Sequence, residues 1–147
     1  MSEPHSKIWT HVIFATRLGA PFLTPPLDTR LYNYLHEYLL SLGCPVRAIN
    51  GMPDHIHMLF LQNPRLSVAE IMKKIKGQTT RWINQDRPGQ KKFGWEPGYA
   101  AFSVSESQVQ KAFDYISNQK EHHMKENLAD EYDHILELHG LKLPQDL

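Results

Sequence analysis

Two histidines separated by one apolar residue, His55 and His57 in the stretch GMPDHIHMLF over residues 51–60, have types and spacing that can do chemistry. Side chains alternate across an extended strand, so the two rings project together while Ile56 and Met58 project from the other face. Neutral imidazole nitrogens are common ligands for first-row divalent metals, and the carboxylate of Asp54 stands next in sequence. The same pattern also fits one histidine satisfied within a core and the other facing solvent. A site therefore requires a further ligand and a reacting group.

Both are available near the other end of the chain, in VQKAFDYISNQKEHH. Tyr115 and Gln119 are four residues apart, which on a helix sets them on one side, about 40° from each other at about 100° per residue. They flank the apolar stripe of Val109, Phe113 and Ile116, so a helix docked by that stripe holds both at its edge. A tyrosine in such a place serves equally as an amphipathic packing residue. A glutamine amide oxygen is a weak but acceptable ligand for a hard cation such as Mg²⁺ or Mn²⁺. His122 and His123, one turn further on, fit solvent-exposed helix positions better than ligands.

The elements that must position these groups follow from hydrophobic periodicity. Residues 8–16, IWTHVIFAT, are β-branched and aromatic and read as a strand. From Asp28, apolar residues recur at three- and four-residue steps up to Leu42, with Gly43 as terminator, which predicts a helix. PVRAIN and HIHMLFL are two strands joined by the turn-forming GMPD, an antiparallel hairpin. Ser67 and Glu70 form a capping-box signature ahead of a helix that runs through Gly77 to Trp82 and Ile83. Residues 86–98, DRPGQKKFGWEPG, read as a mobile or binding loop, and YAAFSVS over 99–105 as a strand. Ser105 with Gln108 offers a second capping box, and an acidic helix is expected from about Asn127 to His139. The order β-α-β-β-α-β predicts an α+β, ferredoxin-like antiparallel sheet with helices on one face, followed by the tyrosine helix and the acidic helix.

Composition adds bounds. The 147 residues, 41% hydrophobic and 22% charged, suit one soluble domain spanning 1–147. No segment approaches the ~20 apolar residues that span a bilayer, and MSEPHSKIWT lacks the basic start and apolar run of an export leader, so no membrane association and a cytoplasmic location are expected. The lone Cys44 has no partner for a disulfide or a CxxC site. The net charge of zero conceals an asymmetry: residues 1–92 balance at +6 and residues 93–147 at −6. Eight of the basic residues lie between Arg65 and Lys92, among them Lys73, Lys74, Lys76, Arg81, Lys91 and Lys92, against two acidic ones. Such a local field attracts phosphates whatever the total charge, although it also fits an ordinary solvated helix face.

These motifs, in this order, resemble the IS200/IS605-type single-tyrosine transposases of the HUH nuclease superfamily. MPDHIHML is similar to the family's HUH strand, KIKGQTTRWIN to the helix after it, FGWEPGYAAFSVS to its last core strand and YISNQ to its catalytic helix. The resemblance runs from about Lys7 to Lys125 and leaves the acidic tail, about 126–147, outside the shared core. It implies His55, His57 and Gln119 as ligands of a divalent metal, Mg²⁺ or also Mn²⁺, with Tyr115 as nucleophile. The implied activity is cleavage and rejoining of single-stranded DNA at hairpin-bearing ends through a 5′-phosphotyrosine, by a homodimer. Trp82, Trp95 and the basic segment would track the strand. Energy kept in the covalent intermediate removes the need for a nucleotide cofactor, and no GxxxxGK[ST] motif is present. Two alternatives remain open at this level: a domesticated hairpin-binding relative without transposition activity, and a phosphodiesterase that uses water.

Overall fold

The computed structural model describes residues 5–122 and 128–140. Its centre is a four-stranded antiparallel sheet in the order β2-β3-β1-β4, with β1 at Trp9–Ala15, β2 at Val46–Met52, β3 at His55–Leu61 and β4 at Ala100–Val104. Helix α1, Leu27–Ser41, connects β1 to β2, and α2, Val68–Gln85, connects β3 to β4. After β4 come α3, Val109–Ser117, α4, Gln119–His122, and α5, Leu128–Leu138. This is the expected α+β, ferredoxin-like order. The HIHMLFL strand has the bounds read from its alternation.

The two faces of the sheet have different tasks. Val12 and Phe14 of β1 and Ile56, Met58 and Phe60 of β3 form the main core with Leu31, Leu35 and Leu39 of α1 and Ile71, Met72 and Ile75 of α2. Strand alternation puts His11, His55, His57 and Leu59 on the opposite face. There Leu59 and Val104 pack against Val109, Ala112 and Ile116 of α3. The register pairs Ile13 with His57 and His11 with Leu59, so the histidines of the two central strands lie side by side.

Local chemistry sets the boundaries. Ser67 Oγ accepts from the Glu70 N–H at 3.0 Å, and Glu70 Oε1 from the Ser67 N–H at 3.2 Å, completing the expected capping box. Gly43 ends α1 with φ +76°, a left-handed position that favours glycine. The second expected capping box is absent. Ser105 makes no side-chain cap; residues Glu106–Gln108 form a 3₁₀ turn, and α3 begins only at Val109. Nor is the tyrosine helix continuous, because the Asn50 amide donates to the carbonyls of Ile116 and Ser117 at 3.0 and 3.2 Å. Those acceptors are thus satisfied at the break, and α4 restarts at Gln119.

The loop after α2 is partly pinned. Asn84 brackets Phe93, accepting from its N–H at 2.8 Å and donating to its carbonyl at 3.1 Å. Trp95 is buried in the main core, with Nε1–H donating to Thr79 Oγ1 at 2.9 Å, so it is no stacking platform for a strand. Cys44 is also buried.

Gly51 of β2 lies against the start of β3, where an added Cβ would stand 2.3 Å from the His55 carbonyl oxygen. Gly51→Ala is expected to force the hairpin apart and cost about 1–3 kcal/mol, the usual range for overpacking. Gly77→Ala, in open space within α2, is expected to stabilise by about 0.5–1 kcal/mol through the better helix propensity of alanine. Thermal unfolding followed by circular dichroism measures both; equal melting temperatures for the two variants would contradict the packing argument.

Candidate active site

His55 and His57 are fully buried on the α3 face of β3, and α5 brings a third group to them. The Glu131 carboxylate, also fully buried, stands with Oε2 3.1 Å from His55 Nε2 and Oε1 3.0 Å from His57 Nε2. From the helical side, the Tyr115 hydroxyl donates to Glu131 Oε1 at 2.7 Å, and Gln119 Nε2 donates to the same oxygen at 2.6 Å. The Tyr115 ring meets that of His57 edge-on, centroids 5.8 Å apart. The structure brings Tyr115, Gln119, His55 and His57 together within one chain, a convergence that the spacing within each pair does not by itself fix.

Contacts from Asn50, Arg47 and Lys120 hold the helical side to the sheet. Asn50 caps α3 as described, Lys120 Nζ donates to Asn50 Oδ1 and the Gly51 carbonyl at 3.1 Å each, and Arg47 lies 4.0 Å over the Phe113 ring. Ile116 inserts into the small core beneath Leu59. The break at Asn118 does not separate Tyr115 from Gln119: the first reaches Glu131 from α3 and the second from α4, where it is fully buried.

Behind the histidines lie the groups that orient them. Asp54 Oδ1 is 2.7 Å from His55 Nδ1, on the ring edge away from Glu131, so Asp54 orients the His55 ring and does not itself face the centre. His57 Nδ1 is 2.9 Å from His11 Nε2, and His11 Nδ1 is 2.9 Å from His139 Nε2.

The electrostatics follow from burial and pairing. Burial alone would lower the His55 pKa, but hydrogen bonds to Asp54 and Glu131 reverse this and raise it from 6.5 to about 9. Burial would likewise raise that of Glu131, yet hydrogen bonds from His55 and His57 hold it far below the usual carboxylate range. His11, removed from water and beside other imidazoles, is held well below the usual histidine range. His139 is lowered to about 4, first by burial and then by His57.

The donor set fits a divalent cation. One nitrogen each from His55 and His57 and one Glu131 oxygen all lie within 4.8 Å of one another. Ligands about 2.1 Å from a common ion stand roughly 3–4 Å apart. The buried Gln119 Oε1 has no hydrogen-bond partner among the described residues, so it retains the capacity to accept from, or bind, a further group. Glu131 was not singled out by sequence reasoning, which left the acidic tail outside the core. A signal existed: Glu131, Ile135 and His139 recur at steps of four on the face of α5 that turns inward, so a carboxylate interrupts an apolar stripe.

The basic residues do not converge on this centre. Lys73, Lys74 and Arg81 line a groove on α2 with Tyr38 and Gln78, in the helical layer on the other face of the sheet. Lys76 is committed to structure, with Nζ donating to the carbonyls of Glu96 and Gly98. Lys91 and Lys92 line a second groove with Arg17 and Arg87, and this one borders the sheet end where the Thr16 N–H donates to the Asp54 carbonyl at 2.9 Å. Trp82 is half-buried, stacked on Tyr34 at 4.6 Å. The side chains of His122 and His123 lie outside the described residues.

Comparison with known proteins agrees with this architecture. Residues 4–119 match the family model described as transposase IS200 like. The chain is 27% identical over 117 residues to the ISDra2 transposase TnpA of Deinococcus radiodurans, covering 74% of this chain and 81% of that one. The crystal structure of a transposase from Deinococcus radiodurans R1 superposes with a TM-score of 0.64 at 26% identity, over 81% of this chain and 98% of the other. A REP-associated tyrosine transposase, solved bound to a REP hairpin, shares the fold with a TM-score of 0.56 at 18% identity, over 80% and 72% of the respective chains. With a sheet that carries paired histidines opposite a tyrosine helix, and a family match across most of its length, the chain belongs to the IS200-like transposase family.

Proposed function

We propose that this transposase cleaves and rejoins single-stranded DNA beside hairpins, using Tyr115 as nucleophile and a divalent metal, Mg²⁺ or Mn²⁺, held by His55, His57, Gln119 and Glu131. The observation that carries the reading is the convergence of Tyr115 and Gln119 on the carboxylate that joins the two histidines. His55, His57, Gln119 and Glu131 would hold the metal, which when bound would polarise the scissile phosphate and offset the charge that develops on it. Tyr115 attacks phosphorus in line: its oxygen forms a phosphodiester to the 5′ side as the bond to the 3′ oxygen breaks, leaving a 3′-hydroxyl. Glu131 Oε1 accepts the hydrogen bond of the phenol, which fixes the Tyr115 hydroxyl beside the two histidines. Asp54 fixes the His55 ring. Rejoining is the same exchange in reverse, with no nucleotide cofactor.

For the DNA path, the groove of Arg17, Arg87, Lys91 and Lys92 is favoured over that of Lys73, Lys74 and Arg81, because it lies at the sheet end that carries Asp54 and His55. The hairpin complex of the structurally similar REP-associated transposase supports hairpin DNA as the partner class. The family resemblance supports action as a homodimer. Residues 1–147 then act as one unit, α5 included. No helix among the described residues is long and apolar enough to cross a membrane.

Three outcomes test the reading. With Mg²⁺ and single-stranded DNA bearing the hairpin that flanks the coding region, a covalent protein–DNA adduct is expected on denaturing gels, absent in Tyr115→Phe; cleavage without an adduct would point to water as nucleophile. Unchanged hairpin affinity with no cleavage under any divalent metal would favour a binding-only relative.

Metal affinity should depend on pH through His55. Its pKa of about 9 means that a proton competes for the ring below that value. Mn²⁺ affinity by calorimetry should therefore rise about tenfold per pH unit from the 6.5 of a free histidine toward 9, then level off. Without metal the sign for folding is opposite: the raised pKa contributes stability in full below 6.5 and loses it as pH passes about 9. A flat affinity profile would contradict the role of His55.

Finally, Lys92→Ala should reduce the slope of log K against log salt for single-stranded DNA by about 0.7, one phosphate contact, whereas Lys73→Ala should leave it unchanged. Fluorescence anisotropy across a salt series reads both.

A further inference from the structure

His57 does not end the chain of contacts behind the metal centre. On β1, fully buried His11 faces His57 with nitrogens 2.9 Å apart and ring centroids at 5.2 Å, and its other nitrogen meets His139, again at 2.9 Å, with centroids at 5.1 Å. His139 follows directly on α5 and stacks flat on Phe102 of β4, centroids 4.4 Å apart and planes 11° from parallel. Three imidazoles thus run from the metal side of the sheet to the end of the helix that also supplies Glu131. Glu131 of α5 and His139 just after it both lie beyond residues 4–119, the part of the chain that matches the family model.

A neutral imidazole has one donor and one acceptor nitrogen, so the three rings cannot be protonated independently. If His57 presents its Nε2 lone pair to a metal, its Nδ1 must carry the hydrogen. His11 Nε2 must then accept, His11 Nδ1 must donate, and His139 Nε2 must accept in turn. Each ring has one consistent tautomer, and removing the acceptor on His11 leaves a buried His57 N–H without its partner. Partners of this kind fix the orientation and basicity of a ligating histidine.

We propose that His11 and His139 are positioning residues for the metal centre, a relay of acceptors that holds His57 in its ligating tautomer and, through His139, couples metal affinity to the docking of α5. The proposal rests on the reading of His55 and His57 as metal ligands. Because α5 contributes Glu131 to one side of His57 and the residue directly after it, His139, forms the far end of the relay, metal binding and the seating of this helix are linked, each favouring the other.

The test is calorimetric titration of the full-length protein with Mn²⁺ alone, with circular dichroism to confirm folding. His11→Phe keeps an aromatic ring but removes the acceptor, and should weaken Mn²⁺ binding about 10- to 100-fold. His11→Gln, whose amide oxygen can accept from His57, should recover most of that loss. His139→Phe should weaken binding less, and in the double variant it should add nothing to His11→Phe, since it acts through His11. Wild-type affinity in a folded His11→Phe, or losses that simply multiply in the double variant, would overturn the proposal. Should His11→Phe fail to fold, His139→Phe decides it, because unchanged affinity there excludes the coupling to α5. His55→Ala separates the two levels: Mn²⁺ binding lost there but kept in His11→Phe sinks the relay alone. A wild-type protein that takes up no Mn²⁺ removes the metal reading and the relay with it.

Discussion

One buried carboxylate organises this protein. Placing the charge of Glu131 away from water is costly unless every lone pair is engaged. Here four groups meet that demand: His55, His57, Tyr115 and Gln119. Because these come from β3, α3 and α4, the carboxylate ties three separate parts of the chain to α5. The groups that make Glu131 tolerable in the interior are the same ones proposed to carry the chemistry, so the demand for pairing and the proposed site share one geometry.

That arrangement depends on the sheet having two unlike faces. Ile56, Met58 and Phe60 bury themselves against α1 and α2 and fix the height and twist of β3. The alternate residues His55 and His57 are then held rigidly on the other face, where a small cluster of Leu59, Val104, Val109, Ala112 and Ile116 supports α3. A large apolar core supplies the rigidity, and a small one supplies a helix that can be positioned by polar contacts from Asn50, Arg47 and Lys120. Sites built on strands and docked helices hold reacting groups more accurately than loops do.

Charge is distributed on the same logic. The excess of basic residues in the first part of the chain separates, on folding, into a groove over α2 and a groove at the sheet end next to Asp54, while Lys76 is consumed in holding the loop that carries Trp95. The acidic excess of the last part is partly inward-facing: Glu131 is a component of the centre. A linear count of charge shows the asymmetry but not which of its members reach a ligand.

Elements governed by near neighbours were therefore readable in the sequence. The alternation of HIHMLFL, the box of Ser67 and Glu70 and the terminator Gly43 each depend on contacts within a few residues, and each stands where its pattern put it. The pairing of Tyr115 with Gln119 also survived, even though Asn50 breaks the helix between them, because both still converge on one carboxylate. What the sequence could not contain was the destination of side chains whose partners are distant in the chain. Trp95 looked like a stacking surface until the fold gave it Thr79 and a place in the core. Glu131 and His139 looked like an acidic tail until α5 folded back over the histidines. Period and capping are local energies that a sequence states directly, whereas a buried charge finds its partners only when the whole chain has closed around it.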